Sequence, residues 1–146
     1  MPDARSPYQY AIIRVVPRVE RGEFVNAGIV LLCRSRAYIG AAVELREERL
    51  RALAPQADVA LIRTHLSAVE RIAAGDPGAG PIAALSIAER FHWLVAPAST
   101  VIQASPVHAG LTEDPVAELE RLLDAFVRQP AIQPVVPPGV SPADLD

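Results

Sequence analysis

Lysine is absent from this chain of 146 residues, and all fourteen of its basic residues are arginine. Without a lysine amine, the chain cannot form a Schiff base with pyridoxal phosphate, hold phosphate through a Walker lysine or build a Ser-Lys dyad. The single cysteine, Cys33, excludes the usual zinc sites that use two to four thiolates. Because Cys33 follows the apolar run IVLL, we expect a half-buried thiol on a strand.

Long apolar runs and blocks of like charge are also missing. The richest apolar run, residues 27–33, is too short to span a bilayer, and the first ten residues, MPDARSPYQY, lack the apolar core of a signal peptide. We therefore expect a cytoplasmic protein that does not enter the membrane. A net charge of −3 does not indicate broad binding to a phosphate backbone.

The apolar residues that are present indicate one globular domain with an aliphatic core, since 51% of the chain is hydrophobic and 5% is aromatic. Residues 1–7 are predicted as a flexible lead, residues 8–129 as the domain, and residues 130–146 as a Pro-rich tail that is polyproline-like, disordered or laid on a neighbouring molecule.

The residue pattern within the domain predicts an α+β fold. Three apolar stretches joined by short connections, beginning at Tyr8, Val25 and Ala37, indicate an antiparallel meander, and residues 99–105 indicate one later strand. Helix starts are predicted at Asp58, at the capping box Ser86–Glu89 and at Asp114-Pro115. We expect a mostly antiparallel sheet, a three-strand meander plus one later strand, with the helices packed on one face.

Two histidines flank the late strand and offer the first candidate site. His92 lies in the preceding helix and His108 in the following loop, and with Asp114 they supply a two-histidine, one-carboxylate set for a divalent metal. In that hypothesis Glu23 or Glu113 acts as the base of a metal-dependent hydrolase or nuclease. The spacing is unspecific, and the favoured interpretation is that no cofactor binds and that Asp114 caps a helix.

The first hairpin carries the second candidate site. Arg14 and Arg18 occupy same-face positions of an ideal strand, where paired guanidinium groups can bind a phosphate or carboxylate, and Asn26 lies nearby in sequence. Arg90 is a further candidate for holding phosphate. The open alternatives are internal pairing with Glu20 and Glu23 and a solvated surface, while a third hypothesis has the arginine-bearing hairpin bind nucleic acid.

Two stretches resemble the signature blocks of a family of proteins known as domain of unknown function 3037. They read YQYAIIRVVPRVERGEFVNAGIVLLC and RFHWLVAPASTVIQASPVHAGLTEDP, and the resemblance covers residues 8–128. It implies a small cytoplasmic bacterial protein and a link to kinase-like proteins of the toxin–antitoxin kind. It brings no assigned activity, cofactor or catalytic residue.

No strong catalytic motif occurs in the chain, so the sequence favours a non-catalytic regulatory or interaction module over an enzyme. The apolar content suits contact with a protein partner or with a second copy of the chain. The metal-dependent hydrolase and the nucleic-acid-binding module stay open as alternatives.

Overall fold

The computed structural model describes residues 4–129, so the first three residues of the predicted lead and the predicted tail, 130–146, lie outside the described residues. Its elements, in chain order, are β1 (Ser6–Val15), β2 (Val25–Cys33), β3 (Tyr38–Val43), α1 (Glu47–Leu53), α2 (Val59–Ala73), α3 (Ile87–Val95), β4 (Ile102–Ala104), β5 (His108–Thr112), α4 (Pro115–Leu123) and a π-helical segment (Asp124–Arg128). These helices and an antiparallel sheet confirm the α+β fold.

The strand order is β3-β2-β1-β4, and β5 also pairs with β1. The predicted meander is therefore β1, β2 and β3, and the fourth position in the sheet is shared by two short strands. Strand β4 pairs with the end of β1 and β5 with its beginning. The second of these strands replaces the loop that the sequence predicted around His108, because the side of β1 that faces away from β2 offers backbone N–H and C=O groups that need partners.

Ser105 bridges the break between β4 and β5. Its N–H donates to the carbonyl of Ile12 at 2.8 Å, and its hydroxyl Oγ accepts from the N–H of Ile12 at 2.8 Å. The same hydroxyl donates to the carbonyl of Pro106 at 2.9 Å. The chain leaves the sheet at Pro106, so no strand carbonyl is available there to accept the N–H of Ile12. The side chain of Ser105 accepts it instead.

Helices cover both faces of the sheet, which corrects the prediction of one covered face. On the first face, α1, α2 and α3 supply Leu50, Leu66 and Phe91 to one core. On the other face, α4 and the π-helical segment supply Leu122 and Val127 to a second core. Alternate residues of β1 and β2 enter opposite cores because successive side chains of a strand point to opposite faces.

Strand β2 belongs to both cores, and this changes the expectation for Cys33. The residue is fully buried, not half-buried, and its thiol Sγ donates to the carbonyl of Pro7 at 3.5 Å. Pro7 lies within β1, which begins at Ser6, so the ordered sheet starts two residues before the predicted Tyr8.

The predicted helix caps are confirmed. Asp58 accepts from the N–H of Leu61, and Ser86 accepts from the N–H of Glu89. Asp114 caps α4, with Pro115 at the first helical position. Across residues 4–129, no helix has both the length and the apolar content needed to cross a membrane.

Arginines of α1 and the residue before it hold the end of the described chain. Arg46 donates to the carbonyl of Arg128 at 2.9 Å, and Arg49 donates to the carbonyls of Val127, at 2.9 Å, and Gln129. The carbonyls that end the π-helical segment lack partners of their own, so these arginines act as its C-terminal cap.

Candidate functional site

The two sequence blocks that carry the candidate residues meet within the sheet. Arg14 of β1 pairs with Asn26 of β2 on one side and with Gln103 of β4 on the other. The middle of the same strand brings Tyr10 opposite His108 of β5. The antiparallel pairing therefore places polar and aromatic residues from both blocks side by side on the face that α4 covers in part.

Arg14 is the charged centre of this region. Its guanidinium carbon lies 4.0 Å from the centroid of the Phe24 ring, a cation–π contact. Its Nε is buried and has no hydrogen-bond partner, and no carboxylate within the described chain forms a salt bridge with it. The arginine is thus positioned by stacking, and its hydrogen-bonding capacity is unused within residues 4–129.

Asn26 fixes the neighbouring π-helical segment. Its Nδ2 donates to the carbonyl of Phe126 at 3.1 Å, while its Oδ1 is buried without a hydrogen-bond partner. A buried amide oxygen without a partner is unfavourable, by roughly 1–3 kcal/mol. Arg14 and Asn26, which are partners in the β1–β2 pairing, therefore each carry one buried polar atom that has no hydrogen-bond partner.

Aromatic rings extend the region along β1. The Tyr10 ring lies 5.3 Å from that of His108 and 6.1 Å from that of Phe126, centroid to centroid. Phe24 is 43% exposed and Phe126 is 39% exposed. We call this region the aromatic–arginine surface, and it consists of Tyr10, Arg14, Phe24, Asn26, His108 and Phe126.

A family model described as "Protein of unknown function (DUF3037)" matches residues 10–127 of the chain. The chain belongs to this family. The matched range contains every residue of the aromatic–arginine surface, from Tyr10 to Phe126. Neither the curated proteins nor the solved structures gave a match.

The proposed metal ligands of this DUF3037 chain do not come together as a set. His92 is exposed on α3, on one side of the sheet, whereas His108 lies on β5 beside Tyr10, on the α4 side. Asp114 Oδ1 accepts from the N–H groups of Val116 and Ala117, at 3.1 and 3.2 Å. No group of three or more His, Cys, Asp or Glu side chains suited to a metal ion occurs in residues 4–129.

Neither candidate base lies beside a metal-ligating cluster within the described residues. Glu23 is exposed in the β1–β2 connection and forms an ion pair with Arg21 at 2.6 Å. Glu113 is exposed immediately before the cap of α4. The partner of Glu23 is thus Arg21 and neither Arg14 nor Arg18, for which the sequence left internal pairing open.

The other two candidate arginines differ from Arg14. Arg18 is exposed and precedes a short 3₁₀ turn after β1. Arg90 donates to the carbonyls of Ala73 at 2.8 Å, Ile72 at 3.3 Å and Leu85 at 3.0 Å. These bonds occupy Arg90 at the end of α2, so it acts as a helix cap where the sequence suggested a phosphate ligand.

A cavity of about 610 Å³ lies on the opposite side of the sheet, between α2, α3 and β4. Its wall is largely apolar, and its polar lining residues are His65, Thr100 and Gln103. Trp93, which is 52% exposed, lies at its border. No sequence pattern indicated this cavity, because its wall combines residues from separate segments. Among the described residues, the wall includes no carboxylate that could pair with His65 as acid and base.

Proposed function

We propose that this chain is a non-catalytic protein-interaction module of the cytoplasm that contacts its partner through the aromatic–arginine surface. The observation that carries the proposal is Arg14, stacked on an exposed Phe24 and without a carboxylate partner in residues 4–129. Tyrosine, phenylalanine and arginine are enriched at protein interfaces, and arginine and tyrosine are common among the residues that dominate binding.

The chemistry of the surface defines the partner. Arg14 suits a carboxylate, which its guanidinium can bind through two parallel hydrogen bonds. Phe24 and Phe126 suit an apolar side chain that lies beside that carboxylate. The resemblance to DUF3037 proteins extends the proposal to a kinase-like partner of the toxin–antitoxin kind.

The test compares four immobilised full-length proteins, namely the wild type and its Arg14→Gln, Phe24→Ala and Trp93→Ala variants. Proteins that each one captures from extracts of its own cells are quantified by mass spectrometry. Trp93→Ala is the matched control because it removes an exposed aromatic side chain from a different part of the molecule.

We expect one protein to be captured equally by the wild type and by Trp93→Ala, and about tenfold less by each of the other variants. Loss of an interface aromatic or arginine costs more than 1 kcal/mol at such positions, and about 1.4 kcal/mol is tenfold in affinity. Equal capture by all four proteins would overturn the proposal. Titration of the purified kinase-like protein then tests the narrower partner assignment.

Two earlier hypotheses remain predictions for which the described residues offer no specific observation. A metal-dependent hydrolase needs His92 and His108 in one site. A nucleic-acid-binding hairpin needs affinity that falls steeply with added salt, since the released counterions scale with the phosphates contacted.

A further inference from the structure

Strand β5 has a free edge. It pairs with β1 on one side, and no backbone hydrogen bond joins its other side to another element in residues 4–129. Strand β3 forms the opposite edge of the sheet, and α2 packs against it. An unprotected edge presents unpaired donors and acceptors that another strand can meet.

The sequence of β5, HAGLT, has neither a charged residue nor a proline, which are two of the usual guards of an edge strand. Ala109 and Leu111 lie opposite Gln9 and Pro7 of β1, on the side of the sheet where α1, α2 and α3 pack. All four residues are exposed, and Leu111 is 51% exposed. The helices therefore leave this corner of the sheet uncovered.

We propose that a second copy of this chain pairs with β5 in an antiparallel arrangement, with the two-fold axis at Gly110. An antiparallel strand is complementary to itself about a two-fold axis, so one surface serves both copies. This register places Leu111 of each copy opposite Ala109 of the other, and His108 opposite Thr112. The large exposed side chain thus meets a small one, and the sheet continues across both copies.

The absence of a side chain at Gly110 is compatible with a two-fold axis at this residue. The Tyr8 ring lies against Gly110, and a Cβ at that position would come within 2.7 Å of the Tyr8 hydroxyl oxygen. The centre of β5 consequently presents no side chain to a second copy. A peptide from another protein could use the same edge, but it would not supply the reciprocal contact between Leu111 and Ala109.

The experiment measures the dimer dissociation constant of the full chain by sedimentation equilibrium. The variants are Ala109→Glu, Leu111→Arg and their equimolar mixture, with Val116→Arg as the control because Val116 is an exposed apolar residue elsewhere, 61% exposed. Each of the first two variants is expected to weaken the dimer about tenfold or more, since charges are unfavourable at an apolar strand pair. In the mixed dimer the two introduced charges face each other while the native Leu111–Ala109 pair remains, so association is restored.

A wild type that stays monomeric at about 100 μM would overturn the proposal, because a dissociation constant above that concentration means weaker association than in ordinary dimers. So would a dimer that Leu111→Arg leaves intact, or a mixture that fails to associate. This proposal does not depend on the proposed function. Phe24→Ala lies outside β5 and is expected to leave the dimer unchanged, so failure of one proposal is distinguishable from failure of the other.

Discussion

Side-chain hydroxyl groups can substitute for backbone groups, and Ser105 is the example in this domain. Its Oγ accepts the N–H of Ile12 at 2.8 Å where the chain leaves the sheet at Pro106. The residue is 3% exposed, so water does not replace this bond readily. A single hydroxyl therefore allows one continuous β1 to pair with two separate strands.

Replacing Ser105 with alanine tests this role. We expect the free energy of unfolding to fall by about 1–3 kcal/mol, because the buried N–H of Ile12 loses its acceptor. Urea unfolding followed by circular dichroism measures the change. Ser99→Ala, at an exposed position, is the control and should change the stability little. Equal effects of the two substitutions would contradict the assignment.

Tyr8 predicts a dependence of stability on alkaline pH. Its burial, and then the nearby Glu118 carboxylate, raise the pKa of the phenol above the ordinary 10.0. The unfolded chain therefore loses this proton first, so the contribution is fully present below pH 10 and is lost as the pH rises through the folded pKa. The pKa of Tyr38 is raised as well, by burial first and then by Asp114.

The measurement is the urea midpoint between pH 8 and pH 11. Stability should decrease above about pH 10, and the decrease should be smaller in Tyr8→Phe, because one of the two shifted phenols is removed. An identical pH profile for the wild type and the variant would show that Tyr8 does not contribute.

At the level of elements, the ends of the helices account for several polar residues that the sequence offered as candidate ligands. Arg90 donates to carbonyls at the end of α2, and Asp114 accepts N–H groups at the start of α4. Helix ends leave four N–H or four C=O groups without intrahelical partners, so a charged side chain there has a structural role of its own.

Substitutions of Asp114 separate capping from other roles. Asp114→Ala should reduce the free energy of unfolding by about 1 kcal/mol, whereas Asp114→Asn should retain most of it, since asparagine is also a good N-cap. Thermal and urea unfolding measure both. A loss of the same size in both variants would mean that the charge matters and that capping is not the main role.

The molecule as a whole is one sheet between two apolar cores. β1 and β2 contribute residues to both cores. If either helical layer lost its packing, one apolar face of the sheet would be exposed to water. Because the sheet is shared, we expect the layers to unfold in a single cooperative transition.

Leu122→Ala tests this coupling, since Leu122 is a buried residue of α4 while Trp93 lies on α3 across the sheet. The substitution should lower the free energy of unfolding by about 2–5 kcal/mol. Trp93 is the single tryptophan, so its fluorescence reports the other layer. The fluorescence and circular dichroism midpoints should shift together, and an unshifted fluorescence midpoint would reveal independent layers.

Local features of this fold could be predicted from the sequence. The caps at Asp58, Ser86 and Asp114 depend on residues within one helical turn, and the meander depends on short connections. The cytoplasmic location and the division into lead, domain and tail stay predictions.

Long-range features could not be read in the same way. The second covered face had one sequence signal, the continuous apolar run of β2, because a strand that is apolar on both sides is buried on both sides. The capping role of Arg90 had no sequence signal, since the carbonyls on α2 that it binds lie 17 and 18 residues away in the chain. The contact between Arg14 and Phe24 likewise depends on how the first hairpin folds back.

The hydrogen bonds from Arg46 and Arg49 to the carbonyls of residues 127–129 have a practical consequence for distance measurements with a label attached to this chain. The two arginines hold the backbone of residues 127–129 beside α1. Distances measured to a label at position 129 should therefore be reproducible. Replacing both arginines with alanine should broaden the distribution of these distances.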